Sequence, residues 1–275
     1  VRRDVAYGPL GEAQTYDVHL PPGATAGGAG GALRPGVLVV HGGAWWTESK
    51  ERYSGLSDAL ARRGYVVATT NYRLVPEGRF PAAARDVRCA LAHLRAHAGE
   101  HGLDPARVAL LGYSAGGHLA SLVAVVGDDA ALQGDCEAGP TGPPQAVVSG
   151  AGPQDLGLLG WAPQVHAFLG GTPEATPDVY REASPVHRVR AGATPPFLFL
   201  HGDQDLYVPL EHSLRMAARL REAGGQAELL RLPGGGHAVN PGTRAGSWEW
   251  ESQTLDSPEA WLALTDFLAR TLGAP

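Results

Sequence analysis

Lysine is almost missing from this chain: Lys50 stands alone, and every other basic residue is arginine. Acidic residues outnumber basic ones 28 to 22, the formal net charge is −6, and the arginines are scattered. A basic stripe for nucleic acid or an anionic bilayer is thereby excluded. Cysteine is scarce too. Cys89 and Cys136 lack any metal-ligand spacing such as C-x-x-C, so they stand either as a disulfide or as two buried thiols. No apolar run approaches the roughly 18 residues that cross a bilayer, which argues against an integral membrane protein. No segment repeats, which disfavours a propeller-linked peptidase. A phosphate loop, a G-x-G-x-x-G after a strand and a zinc motif are all missing, so neither cofactor nor metal is expected. The chain opens at Val1 and not Met, which reads as a trimmed start. That fits a cytoplasmic protein or one secreted after signal removal.

What is present is a rhythm of two apolar patterns. With 275 residues, 44% hydrophobic and 18% charged, the chain can bury one sizeable core, and 1–275 reads as a single α/β domain. Apolar runs of strand length fall at 37–41, 65–71, 107–112, 145–149, 197–201 and 227–232. Helical spacing fills 54–63, 81–98, 114–126, 210–223 and 257–271. Continuously apolar strands alternating with helices predict a mostly parallel central sheet with helices on both faces. Segments 3–7 and 14–20, turned by "GPLG", predict an antiparallel hairpin at one edge, for about eight strands in all. The glycine-rich 23–36 reads as a surface loop.

One serine stands out. "GYSAG" (112–116) sits where the strand "RVALLG" hands over to a helix of small residues. In G-x-S-x-G the flanks must be small because the serine lies on a sharp turn that lifts its hydroxyl above the strand ends. Glycine is 38 of 275 residues and there are eleven serines, so chance alone gives roughly 0.2 such matches. The strand-turn-helix context sharpens the signal, and Ser114 is the candidate nucleophile.

A serine hydroxyl needs a base, and the base needs an orienting acid. On a sheet of this kind the chain order is Ser, acid, His. Only His212 and His237 follow both Ser114 and a suitable acid. His212 falls inside a predicted helix, whereas His237 stands in the loop "PGGGH" after a strand, so His237 is the candidate base. "HGDQD" offers two acids, Asp203 and Asp205, and Asp155 is a third; spacing does not separate the first two. "HGGAWW" (41–46) ends a strand in glycines whose backbone N–H groups can face a substrate oxygen. The N–H of Ala115, the residue after the serine, is the second expected donor. His41 reads as a brace for that loop.

These segments, with "NYRL" (71–74), "FPAAARDV" (80–87) and "GLDPARVALLGYSAGGHLA" (102–120), resemble the serine esterases of the α/β-hydrolase superfamily. The likeness falls on the branch shared by hormone-sensitive-lipase-like esterases and the feruloyl/acetyl esterases typified by a bacterial feruloyl esterase domain. It covers about 37–271. It implies an α/β-hydrolase fold, Ser114 as nucleophile, Asp205 as acid and His237 as base. It also implies backbone N–H groups of Gly43, Ala44 and Ala115 as the oxyanion hole. The chain departs from the lipase-like pattern in two places. HGGG is here HGGA, and only 40 residues precede His41, so no large N-terminal cap is expected.

The implied reaction is hydrolysis of a small-molecule ester. Kynurenine formamidases resemble the same H-G-G-x-W segment and also lack a large cap, so small-amide hydrolysis stays open. A catalytically inactive binding member of the fold is disfavoured because serine, acid and histidine are all present in order. Without a cap, the acyl pocket must be closed by nearer material. Trp45 and Trp46 follow the oxyanion glycines, and a lid-like insertion at 153–187 carries Trp161 and Phe168. Trp248 and Trp250 offer a further wall. Bulky rings around a short pocket predict a preference for short acyl groups.

Overall fold

The computed structural model describes residues 1–24, 32–127, 129, 132–133, 136–192, 194–237 and 257–275. Among them, eight strands form one sheet: β1 (Arg2–Ala6), β2 (Thr15–His19), β3 (Arg34–Val40), β4 (Val66–Thr70), β5 (Leu103–Tyr113), β6 (Ala146–Gly150), β7 (Phe197–Gly202) and β8 (Ala227–Leu232). Their order is β1-β2-β4-β3-β5-β6-β7-β8. β2 runs antiparallel to both neighbours, and every pairing from β4 to β8 is parallel. The edge hairpin and the mostly parallel sheet are as the sequence predicts.

The helices are α1 (Ser54–Arg62), α2 (Ala82–Ala96), α3 (Ala98–His101), α4 (Ala115–Val126), α5 (Pro163–Leu169), α6 (Pro177–Ala183), α7 (Pro185–Arg188), α8 (Glu211–Glu222) and α9 (Pro258–Leu272). β3 shows how the layers form. Leu38 and Val40 point to one face and pack in a core with Val87 and Leu91 of α2, Leu119 of α4 and Met216 of α8. Val37 and Val39 point to the other, with Leu60 of α1 and Leu264, Phe267 and Leu268 of α9. A period of two in a doubly covered strand therefore separates two cores, and both are apolar. α9 opens on Ser257, whose hydroxyl accepts from Ala260 N–H at 3.2 Å, with Pro258 in the first turn.

Three boundaries differ from expectation by two residues or more. β3 starts at Arg34, inside the segment expected as loop, and β5 starts at Leu103, four residues early. Backbone pairing is the reason: Arg34 N–H donates to Gly102 O at 2.9 Å and Arg34 lies opposite Leu103. Side-chain periodicity does not register strand starts that Pro35 and Pro105 interrupt. The helix expected over 81–98 ends at Ala96, and α3 follows as a separate turn. Cys89 on α2 is joined to Cys136 by a disulfide, which decides between the two thiol alternatives. The centre of the glycine-rich stretch, 25–31, lies outside the described residues.

Two of the resembling motifs are structural. Arg73 of "NYRL" pairs with buried Asp86 of "FPAAARDV", Nη2 to Oδ1 at 2.7 Å and Nε to Oδ2 at 2.8 Å. Gln14 Nε2 donates to the same carboxylate at 2.8 Å, so the pair anchors the edge hairpin to α2.

Candidate active site

β3 and β5 are neighbours with their carboxyl ends level, Val40 opposite Gly112. The chain leaves β5 through Ser114 at φ 53°, ψ −122°, a conformation that non-glycine residues rarely adopt. Ser114 N–H donates to Gly150 O at the end of β6, 2.8 Å away. Both flanking glycines are sterically required. A Cβ on Gly112 would strike the Gly116 carbonyl, and a Cβ on Gly116 would strike the carbonyl oxygens of Val40 and His41. The first turn of α4 is thus seated on the ends of β3 and β5, and the serine hydroxyl stands over the sheet.

Ser114 Oγ lies 2.9 Å from His237 Nε2, and His237 Nδ1 lies 2.7 Å from Asp205 Oδ2. These loops follow β5, β7 and β8, so three separate strand ends meet. Asp205 is buried, and its Oδ1 accepts the N–H groups of Tyr207 and Val208 at 2.9 Å each. Its Oδ2 also lies 3.4 Å from Nε2 of buried His201, which donates to Val208 O at 2.8 Å. Burial alone would raise the Asp205 carboxyl, but the bonds from His201, His237 and Val208 hold it well below the usual carboxylate range. It is therefore an anion facing an imidazole N–H.

The other candidates are engaged elsewhere. Asp203 pairs with Arg231 at 2.9 Å and accepts Gly234 N–H at 2.7 Å. Asp155 caps its own turn by accepting Gly157 N–H. His212 accepts the N–H groups of Gln154 and Asp155 on Nδ1, and burial lowers its pKa to about 4.

The loop after β3 is held in left-handed backbone at Gly43 (φ 83°), Ala44 (φ 53°) and Trp45 (φ 61°). Trp46 and Thr47 N–H both turn back onto Gly43 O. The N–H groups of Gly43 and Ala44 donate to no acceptor among the described residues. Ala115 is the first residue of α4, where helical N–H groups have no partner within the helix. The loop is braced from below: the His41 ring stacks on Tyr72 at 4.2 Å, and Tyr72 Oη donates to Gly42 O at 2.8 Å. His41 Nδ1–H donates to the same oxygen, and burial keeps the ring neutral, with a pKa of about 4.

The expected pocket aromatics divide. Trp46 and Trp161 are exposed, at 56% and 69%. Trp45 and Phe168, expected to help close a short acyl pocket, are buried. They stack on each other at 4.5 Å, and Trp45 Nε1 donates to His118 Nδ1. A large apolar ring with one polar atom settles where that atom finds a partner, and here the partner lies inside. Trp248 and Trp250 lie outside the described residues. Between β6 and β7 the insertion at 153–187 consists of a 3₁₀ turn (Leu156–Leu159) and α5, α6 and α7.

Sequence reasoning passed over His118, His201 and Glu48. His118 stands one helical turn after Ser114, which places it on the same face of α4; that spacing was the available signal. His201 lies near the end of β7, the strand that delivers Asp205. Nothing in the sequence pointed to Glu48. Among the described residues, no group of three or more His, Cys, Asp or Glu side chains is placed to hold a metal ion, and no helix is long and apolar enough to cross a membrane.

The sheet order and the serine turn between β5 and α4 place the molecule in the α/β-hydrolase class. Within that class the chain belongs to the BD-FAE family, whose model matches residues 17–220. Esterase LipC of Mycobacterium tuberculosis is 34% identical over 229 residues, covering 77% of this chain and 55% of LipC. The chain spans a little over half the length of the curated relatives it matches first. A truncated carbohydrate esterase from gut microbiota superposes with a TM-score of 0.84 at 23% identity, covering 98% of this chain and 95% of that one. A thermophilic esterase from the Planctomycetes species Thermogutta terrifontis, in a butyrate-bound form, gives 0.79 at 23% identity, covering 98% and 94%.

Proposed function

We propose that this chain is a serine carboxylic ester hydrolase acting on short-acyl esters through an acyl-enzyme. The observation that carries the reading is the line of hydrogen bonds from Ser114 Oγ through His237 to Asp205, at 2.9 and 2.7 Å. His237 Nε2 takes the hydroxyl proton as Oγ attacks the ester carbonyl, and the anion of Asp205 stabilises the imidazolium that forms. The N–H groups of Gly43, Ala44 and Ala115 receive the negative oxygen of the tetrahedral intermediate. Collapse breaks the bond to the alkoxide, which takes the proton from His237. Water then repeats the cycle on the acyl-Ser114 ester and releases the acid.

The relatives support the reaction class: LipC is called an esterase, and the Thermogutta esterase is also described phosphonylated by cyclosarin. Its butyrate-bound form supports a short acyl group, as does an insertion at 153–187 that can act as a small lid beside the serine. A buried Trp45–Phe168 stack behind the oxyanion loop leaves little depth for a long chain.

The test has two parts. Ser114→Ala should lower kcat by several orders of magnitude in a folded protein, and a phosphonate should add mass to Ser114 in the parent only. Across p-nitrophenyl esters, kcat/KM should be clearly higher for acetate or butyrate than for dodecanoate or palmitate. An active alanine variant sinks the mechanism, and a long-chain preference sinks the short pocket. N-formylkynurenine belongs in the same panel, since a higher kcat/KM on it would move the assignment to amide hydrolysis.

A further inference from the structure

Glu48 sits just past the oxyanion loop, in left-handed backbone at φ 71°. Its carboxyl turns inward, and Oε2 is buried with no hydrogen-bond partner among the described residues. The carboxyl lies beside the nucleophile. The point where a side chain on Gly42 would begin is 3.5 Å from Glu48 Oε2 and 3.4 Å from Ser114 Cβ. Burial pushes the carboxyl above the usual range, while Arg52, the Gly42 N–H and His237 pull it back.

For the proposed reaction alone this group is a cost. Negative charge develops on the oxygen held by the neighbouring N–H groups, and a carboxylate close by opposes it. The orienting anion for His237 is already supplied by Asp205. A left-handed glutamate is itself less stable than a glycine would be. Something brought by the substrate can offset these costs. His237 returns its proton to the departing alcohol, so what surrounds His237 borders the alcohol part. There the ring of Tyr207, half exposed, lies 5.7 Å from the imidazole. A partly buried carboxylate beside Ser114 and an aromatic face beside its base are the chemistry that recognises an ammonium group.

We propose that Glu48 makes the site selective for charge: it favours esters whose alcohol part carries an ammonium group and disfavours those carrying a carboxylate or phosphate there. The inference rests on the ester-hydrolase reading above and names the alcohol side of its substrate.

A matched pair tests it: butyrylcholine and 3,3-dimethylbutyl butyrate, which share a shape and differ in one charge. At mildly alkaline pH, where carboxyls are ionised, the parent should favour the cation in kcat/KM by about tenfold, as expected for charges several ångströms apart in a partly desolvated site. Glu48→Gln keeps the shape and should bring the ratio to about one. Glu48→Gly relieves the left-handed backbone, so folding is safeguarded, and should do the same. A parent without the preference, or a ratio unchanged in both variants, overturns the proposal. Hydrolysis of p-nitrophenyl butyrate by the parent is the separate control: its failure overturns the ester-hydrolase reading itself.

Discussion

The indole N–H of Trp45 donates to Nδ1 of His118 at 3.2 Å, and that bond ties the loop after β3 to the helix that begins at the serine turn. Trp45 directly follows Ala44, and both are left-handed. His118 offers its other nitrogen, Nε2–H, to Ala183 O at 2.8 Å, so the insertion between β6 and β7 is drawn into the same joint. His118 can accept from Trp45 only while it is neutral, and complete burial lowers its pKa to about 4.

Trp45→Phe removes the bond and keeps the stack on Phe168. Stability should fall by about 1 kcal/mol, the ordinary worth of one hydrogen bond. If the loop positions N–H groups for the transition state, kcat should fall about tenfold, equivalent to ~1.4 kcal/mol, with KM little changed. Urea unfolding and steady-state kinetics on p-nitrophenyl butyrate read the two effects. A raised KM at constant kcat would place Trp45 in substrate binding instead.

Acid should destabilise the protein before its carboxylates are protonated. His41, His118 and His212 are each lowered from 6.5 to about 4 by burial. Their folded pKa values lie below the unfolded ones, so the unfolded chain binds more protons in between. The stability they contribute is complete above about pH 6.5 and is lost as pH falls towards about 4, each group adding about 1.4 kcal/mol per pH unit to the slope. Urea midpoints at several pH values across that window measure it. A flat profile down to the lower end would mean that these rings are protonated without cost.

The two aspartates of "HGDQD" should separate cleanly. Asp205→Asn should be severely impaired, because an amide there favours the wrong tautomer of His237. Asp203→Asn should keep most activity, since its bonds go to Arg231 and to the Gly234 N–H. The reverse order in kcat/KM would reassign the acid.

Replacing Cys89 and Cys136 with serine should cost stability and spare catalysis. The bond closes a loop with a sequence separation of 47 residues. Chain entropy puts its contribution at up to about 4 kcal/mol. The double variant should melt several degrees lower with kcat/KM on p-nitrophenyl butyrate within about twofold. An unchanged melting temperature would show that the reduced chain is equally constrained.

Much of the frame was legible because it rests on side-chain periodicity. The apolar run 37–41 announced β3, and the alternation of Val37 and Val39 with Leu38 and Val40 is the division between its two cores. The serine turn was legible because Gly112 and Gly116 are excluded from having side chains by backbone alone. Asp203 against Asp205 was not legible from spacing, because the choice depends on which carboxylate folds under the chain to meet Tyr207, Val208 and His237. The inward seat of Trp45 was not legible for a related reason. An aromatic beside an oxyanion loop can face outward or inward, and a histidine seventy-three residues further along the chain decided it. The strand starts at Arg34 and Leu103 were missed because Pro35-Gly36 and Asp104-Pro105 interrupt the apolar run just after them.

The seating of Gly116 against the carbonyls of Val40 and His41 also bears on how this site can change over evolutionary time. The spacing between the serine and the N–H groups after β3 is set by main chain against main chain. Side chains that do not brace the loop after β3 are then free to vary, and substrate preference with them, without disturbing the reacting geometry. The same construction makes one methyl group at position 116 more damaging than the loss of an entire exposed indole at Trp46 or Trp161. A lineage built on this turn can try many alcohols and acids on its surface while its chemistry stays where the backbone put it.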